Sequence, residues 1–337
     1  MCPDCNNTCK SWFDLRRIGL TGEGCIRDAT FLSGIASTIP CLQNVIIPNV
    51  YIQTPHKTLT ALQSMPGATF SRIEIGKRSV PHPVPINYVF IKSPLIPGKS
   101  LLYEACIQQI VKDSLDRGGF IRGAATVHDV FKLHDNSICF SMDIFQHAKP
   151  LSVLIQQLPD SELTQFILEI LIQLCAMLWH LSTDIGMNHR DLKPSNIMVE
   201  SHDERELSLR VLEHTIKIKS RITLSLIEFG FSCIGSNETQ AADLAIGDVY
   251  SAADPCPKEG RDLFMFLAFL YMDCKSRIGA DLRDLFAKWL QNNVTGILPK
   301  IDTYGHEFDQ WIYFITGNER IRKFNCCPCN VFNDLTI

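Results

Sequence analysis

The sequence predicts an α+β protein, with strands concentrated in the first part of the chain and helices in the second. Three observations carry this. The runs "TFSRIEIG" and "NYVFIK", between residues 69 and 92, have strand character, and the Pro-rich "KRSVPHPVPI" between them cannot continue a central strand. The segment 161–184 is apolar almost all round, the mark of a helix central to its domain. From Arg261 onward the chain reads as mostly helical.

Each element follows in order. Residues 1–64 mix Gly, Pro, Asn and Cys with short β-rich runs such as "NVIIPNVYIQ" and show no helical period, so an irregular extension is expected there. In "LLYEACIQQIVKDSL", Leu101, Ile107 and Val111 recur at helical spacing. Glu104 falls on the apolar side of that helix, where a carboxylate needs a cation. "SICFSMDIF" reads as a strand running into a connector. The long helix then ends at Gly186. The alternation of "TIKIKSRI" after "LSLRVL" predicts a β-hairpin, and "TLSLIEFGF" a buried strand.

A chain of 337 residues is long enough for one large domain or two lobes. With 46% hydrophobic residues, 20% charged and a net charge of −4, it has the composition of an ordinary globular protein, and no basic excess points to nucleic acid. The longest apolar run, "FMFLAFLYM" at 264–272, falls well short of the roughly 20 residues that span a bilayer. No membrane association and an intracellular location, cytoplasmic or nuclear, are therefore expected. The 14 cysteines are expected to be thiols in that reducing setting. Six of them lie at the two ends, among them Cys2, Cys5, Cys9 and "CCPC" at 326–329. Such closely spaced thiols have zinc-ligand character, but each cluster alone is incomplete.

The chemistry is concentrated in "HRDLKPSN", residues 189–196, with a Lys two residues past the Asp and an Asn five past it. This resembles the catalytic loop of eukaryotic-type protein kinases. The resemblance covers about residues 65–290 and implies a two-lobed protein kinase fold, a small β-rich N-lobe (65–145) and a larger helical C-lobe (146–337). It further implies ATP and a divalent metal in the cleft. In that family the Asp accepts or orients the proton of the attacking hydroxyl, and the Asn binds a metal on the nucleotide phosphates. Asp191 and Asn196 match these positions. Lys193 stands where serine/threonine-type kinases carry a lysine that neutralises the transferred phosphoryl, which favours Ser or Thr of a protein substrate as acceptor.

Further matches fall elsewhere. Lys92 in "VFIK" resembles the family's strand lysine, with Glu104 as its partner acid. Met142, Asp143, Ile144 and Phe145 resemble the gatekeeper and hinge, whose backbone meets the adenine. Asp262 in "GRDLFMFLAFLY" resembles the helix acid that braces the catalytic loop. There are also departures. The metal-binding triplet "DFG" stands here as "EFG", and Glu228 adds a methylene where magnesium tolerates little change; manganese is the more permissive alternative. The glycine-rich loop is reduced to "PGATFSRI", with Gly67 and Phe70 as its phosphate-covering candidates; the glycines of "GLTGEGC" at 19–25 read as a turn. No "APE" closes the segment between Glu228 and Asp262, and the hairpin insert is long, both similar to haspin-type kinases and to kinases of large DNA viruses. The competing expectation is a catalytically impaired pseudokinase that binds nucleotide or partners. A small-molecule kinase of the same fold is disfavoured by the "LKP" continuation.

Overall fold

A computed structural model describes residues 49–51, 59–65, 71–78, 88–133, 135, 137–211, 214–234, 257–291 and 296–336. The chain divides into two compact units. One contains the described residues up to Asp113 together with Ala124–Gln146; the other contains Ser114–Gly123 and everything from His147 on. The class is α+β, with a β-rich unit and a mainly helical one.

The β-rich unit is built on a six-stranded sheet of order β1-β5-β6-β4-β3-β2. Its strands are β1 (Asn49–Tyr51), β2 (Leu59–Met65), β3 (Ser71–Arg78), β4 (Tyr88–Pro94), β5 (Val127–Lys132) and β6 (Ile138–Met142). All neighbours are antiparallel except β1 and β5. Helix α1 (Leu102–Arg117) starts in this unit, and from Ser114 its residues belong to the other. Val89, Ile91, Phe131 and Cys139 form a core cluster on the sheet. The buried polar residues of α1 are paired: Gln108 Nε2 donates to Ala125 O (3.0 Å), and Gln109 Oε1 accepts Val127 N–H (2.9 Å). These bonds tie the helix to the start of β5.

The stretch 1–64 is not wholly irregular. β1 and most of β2 lie inside it and occupy the two edges of the sheet. β1 falls within the β-rich run "NVIIPNVYIQ", but three residues between prolines carry too little alternation to fix its place at a sheet edge.

The helical unit is organised around α3 (Asp160–Asp184), preceded by β7 (Ala148–Pro150) and α2 (Leu151–Gln157). Strands β9 (Ile197–Val211) and β10 (His214–Leu226) form a long antiparallel hairpin, with β7 pairing the outer side of β9. A register irregularity between Ser220 and Ile222 is pinned to α3: Gln173 Nε2 donates to Ser220 Oγ (2.9 Å) and Ile222 O (3.2 Å), and Glu169 accepts Arg221 N–H (2.7 Å). The short strands β8 (Met187–Asn188) and β11 (Cys233–Ile234) pair with each other. Helices α4 (Arg261–Cys274), α5 (Ala280–Trp289), α6 (Ile297–Tyr304), α7 (Asp309–Gly317) and α8 (Pro328–Thr336) complete the unit.

The longest uninterrupted apolar run understated the hydropathy of α3. This helix has 25 residues and an 18-residue window of mean hydropathy 1.6, long and apolar enough by length and composition to cross a membrane. Glu169, Gln173 and His180 interrupt its apolar runs, which hides it from a count of consecutive residues. Within the unit, 61% of that window is buried, including Ile170, Leu171, Leu174 and Leu178. Cys233 departs from the all-thiol expectation, being disulfide-bonded. Cys106, Cys139, Cys175, Cys274, Cys326, Cys327 and Cys329 are free.

Candidate functional site

The loop 189–193 leaves β8 and closes into a single 3-10 turn, Pro194–Asn196, which leads directly into β9. Proline at the first position of that turn fixes the backbone and sacrifices no useful donor. His189, Arg190, Asp191 and Asn196 are all buried, with exposures of 0–7%. Most buried polar groups in folded proteins are partnered, and the loop's backbone N–H groups and the Asp191 and Asn196 side chains have specific partners. Asp262, in the first turn of α4, receives His189 N–H on Oδ2 (2.7 Å) and Arg190 N–H on Oδ1 (2.9 Å). Asn188 Nδ2 donates to it as well (3.3 Å). Arg190 takes a left-handed backbone conformation, φ 66°, at a cost of roughly 1–2 kcal/mol that the two bonds to Asp262 offset.

Asp262 reaches this loop because Gly260 lets the chain turn tightly into α4. Gly260 has φ 74°, and a Cβ there would meet Phe324 O at 2.8 Å. The turn is further held by Lys258, whose N–H donates to Asn188 Oδ1 (2.6 Å) and whose ammonium donates to Thr316 O (2.9 Å) and Asn318 O (3.0 Å).

Asp191, Lys193 and Asn196 come together. Lys193 Nζ donates to Asp191 Oδ1 (2.9 Å). Asn196 Nδ2 donates to Asp191 Oδ2 (2.8 Å) and Asp191 O (2.7 Å). Two acceptors on that amide nitrogen fix which end of the side chain is which, and leave the Asn196 amide oxygen as the end that could meet a cation. A further residue joins the cluster from α7: the Tyr313 hydroxyl donates to Asp191 Oδ1 and accepts from Lys193 Nζ (3.0 Å). Tyr313 stands 122 residues from Asp191 in an unremarkable helical sequence, and no local motif marks it.

Glu228 caps a second 3-10 turn, Phe229–Phe231, also in the left-handed region (φ 66°, ψ 67°). Its segment is pinned to the loop: Ile227 N–H donates to Asn196 O (3.1 Å), and His189 Nε2 donates to Ile227 O (2.9 Å). Phe229 is fully buried with its ring 5.3 Å from that of His189. A non-glycine residue in this conformation is uncommon and gathers at functional positions. The side-chain oxygens of Glu228 and Asn196 are hard donors, the type that suits magnesium or manganese.

In the β-rich unit, Lys92 in β4 and Glu104 in α1 form an ion pair, Nζ to Oε1 2.5 Å, with side-chain exposures of 3% and 6%. Lys92 lies opposite Ile73 on β3 and Phe140 on β6, in the middle of the sheet. Of the hinge candidates, the Asp143 carboxylate is turned back to its own sheet, with Oδ1 on His128 Nε2 (2.6 Å) and Oδ2 on Thr126 N–H (3.0 Å). Its own N–H donates to Thr126 O (3.1 Å). Burial raises the Asp143 pKa, but the bonds from His128 and Thr126 outweigh it and hold the carboxyl below the ordinary value. Phe145 is buried, and Met142 Sδ accepts from Gln108 (3.3 Å).

Gly67, Phe70, the glycines of 19–25 and the N-terminal cysteines lie outside the described residues. At the other end, Cys327 and Cys329 place their sulfurs 2.6 Å apart, and Cys326 Sγ donates to Trp289 O (2.7 Å). Among the described residues, no group of three or more His, Cys, Asp or Glu side chains is placed to hold a metal.

No family model matches the chain, and no curated protein matches it. Among solved structures, a crystal structure of a Plasmodium kinase domain is similar over 82% of this chain and 94% of its own, at 15% identity and a TM-score of 0.39. The functional reading therefore rests on this chain's own residues.

Proposed function

We propose that this chain is an intracellular, ATP-dependent protein kinase that transfers a phosphoryl group to Ser or Thr hydroxyls of protein substrates, with magnesium or manganese as the metal. The observation that carries the reading is the buried loop in which Asp191, Lys193 and Asn196 converge through side-chain hydrogen bonds. Phosphoryl transfer asks a protein mainly for positioning and charge neutralisation, and this loop supplies both. Asp191 holds the acceptor hydroxyl and takes its proton. Lys193 offsets charge on the group in transit. Asn196, through its amide oxygen, and Glu228 would hold the divalent ion, which when bound neutralises the phosphate oxygens. Lys92, kept in place by Glu104, holds the nucleotide phosphates, and the 143–145 backbone holds the base.

One observation favours a nucleotide- or partner-binding pseudokinase instead: Asp191 Oδ1, the oxygen an acceptor would approach, already receives both Lys193 and Tyr313. A transfer assay separates the two readings. Purified protein is given labelled ATP and general acceptor proteins, with magnesium and then manganese, beside Asp191→Asn. The enzyme reading expects label on Ser or Thr with the parent and none with Asp191→Asn, while both bind nucleotide. Nucleotide binding by the parent without transfer in either metal overturns it in favour of the pseudokinase.

A further inference from the structure

The Tyr313 hydroxyl makes two contacts that the kinase reading reserves for an acceptor. It donates its proton to Asp191 Oδ1, the proton acceptor, and it lies 3.0 Å from Lys193 Nζ, the group that meets the phosphoryl in transit. Among the described residues, no other hydroxyl bonds both side chains. The ring is not loosely placed. It packs against Phe269 at 5.8 Å between centroids, and the Lys193 ammonium stands 5.7 Å from its centre. Its helix is anchored on both sides of the tyrosine, by buried Ile312, Ile315 and Thr316 and by the Lys258 bonds to Thr316 and Asn318.

We infer that Tyr313 is a modification site, phosphorylated in place by its own molecule; this rests on the kinase reading above. A hydroxyl held against its base reacts as an intramolecular group, and holding two reactants in register can replace a large part of the barrier that an encounter between molecules must meet. That advantage offsets the preference for shorter Ser and Thr side chains, because α7 carries the phenol to the spot where a Ser of a bound substrate would need to be delivered. In the step, Tyr313 Oη attacks the γ-phosphorus of a nucleoside triphosphate. An Oη–P bond forms, the bond from that phosphorus to the β,γ-bridging oxygen breaks, and its electron pair leaves on the nucleoside diphosphate. The phenolic proton passes to Asp191 Oδ1 and on to solvent.

The test uses the full chain, first treated with phosphatase and then incubated with ATP and either metal, with sites mapped by fragmentation mass spectrometry. The expected result is one phosphoryl on Tyr313, formed at a rate per molecule that does not change across a dilution series, and absent from Asp191→Asn. Tyr313→Phe keeps the ring against Phe269 and should lose this label. Three results overturn the inference. Phosphorylation of added acceptors by the parent with Tyr313 unmodified removes it and leaves the kinase reading standing. Label on Tyr313 that grows with protein concentration assigns the transfer to a second molecule. No transfer to any acceptor by the parent or by Tyr313→Phe removes the kinase reading and the inference with it.

Discussion

Replacing Asp262 by Ala tests whether the loop carrying Asp191 is held from beneath by one carboxylate. The parent group is 5% exposed and accepts the His189 and Arg190 N–H groups at 2.7 and 2.9 Å, with Asn188 Nδ2 at 3.3 Å. Alanine leaves both backbone donors in a buried setting without this acceptor. Each such loss costs about 1–3 kcal/mol, and bonds to a charged acceptor lie at the upper end. The strain of the left-handed Arg190 would also lose its support. A destabilisation of about 3–6 kcal/mol follows, a large share of the roughly 5–15 kcal/mol that holds a domain folded. Urea unfolding followed by tryptophan fluorescence reads it well, since Trp179, Trp289 and Trp311 all belong to the helical unit. With a slope of a few kcal/mol per molar, the midpoint should fall on the order of 1 M. Asp262→Asn should lie between parent and Ala, because the amide keeps one acceptor and sets its NH2 against the other donor. Transfer should fall with the loop's order in both variants. An Asp262→Ala protein within about 0.5 kcal/mol of the parent, the range of neutral surface substitutions, and equally active would refute the bracing argument.

Lys92→Met should abolish transfer and also destabilise the β-rich unit by about 3–5 kcal/mol, because it removes one member of a buried ion pair; adding Glu104→Gln should recover most of the stability and none of the transfer, as measured by unfolding and labelled-ATP assays. For Glu228, transfer should be faster in manganese than in magnesium, and Glu228→Asp should narrow the gap; an Ala variant as active as the parent would show that Glu228 does not hold the metal. Asp143, whose carboxyl sits below its ordinary pKa in the folded chain, contributes stability that is present above the unfolded value near about 3.9 and lost as pH falls through the folded value. Asp143→Asn should therefore flatten the acid limb of the stability profile below about pH 4, and an unchanged limb in an acid titration would show that the His128 and Thr126 bonds carry no linkage.

What the sequence revealed of the site was what lies close together along the chain. Asp191, Lys193 and Asn196 are fixed by one short loop, so their spacing already implied their convergence. Lys92 and Glu104 are 12 residues apart, joined by one strand end and the first turn of a helix, and an acid on an apolar helix face with a strand lysine before it is a local pattern. Asp262 was recognisable only through the resemblance of "GRDLFMFLAFLY" to the family's bracing helix, because the helix dipole alone already favours an acid in a first turn. The edge strands β1 and β2 were not recognisable in the same way. Their register with β5 and β3 is settled by backbone pairing across the sheet, and pairing partners leave no trace in the sequence of either strand.

Two features were beyond any local pattern, and both concern which atoms of a recognised residue are still available. Asp143 stands in a hinge-like run, yet its carboxylate is committed to His128 and Thr126, residues beside the irregularity between Val127 and Asp129 where β5 pairs with β6. Asp191 stands in the most legible motif of the chain, yet its Oδ1 is shared with a tyrosine from a helix near the other end. A motif specifies residue type and spacing, and these follow from short-range backbone geometry. The partner that completes a side chain's hydrogen bonds follows from how distant elements pack, and a single substitution at Tyr313 could alter it without touching the motif. The chemistry open to Asp191 therefore depends as much on α7 as on the loop that bears it, and variants in α7 should change which hydroxyl Asp191 serves before they change whether it can serve one.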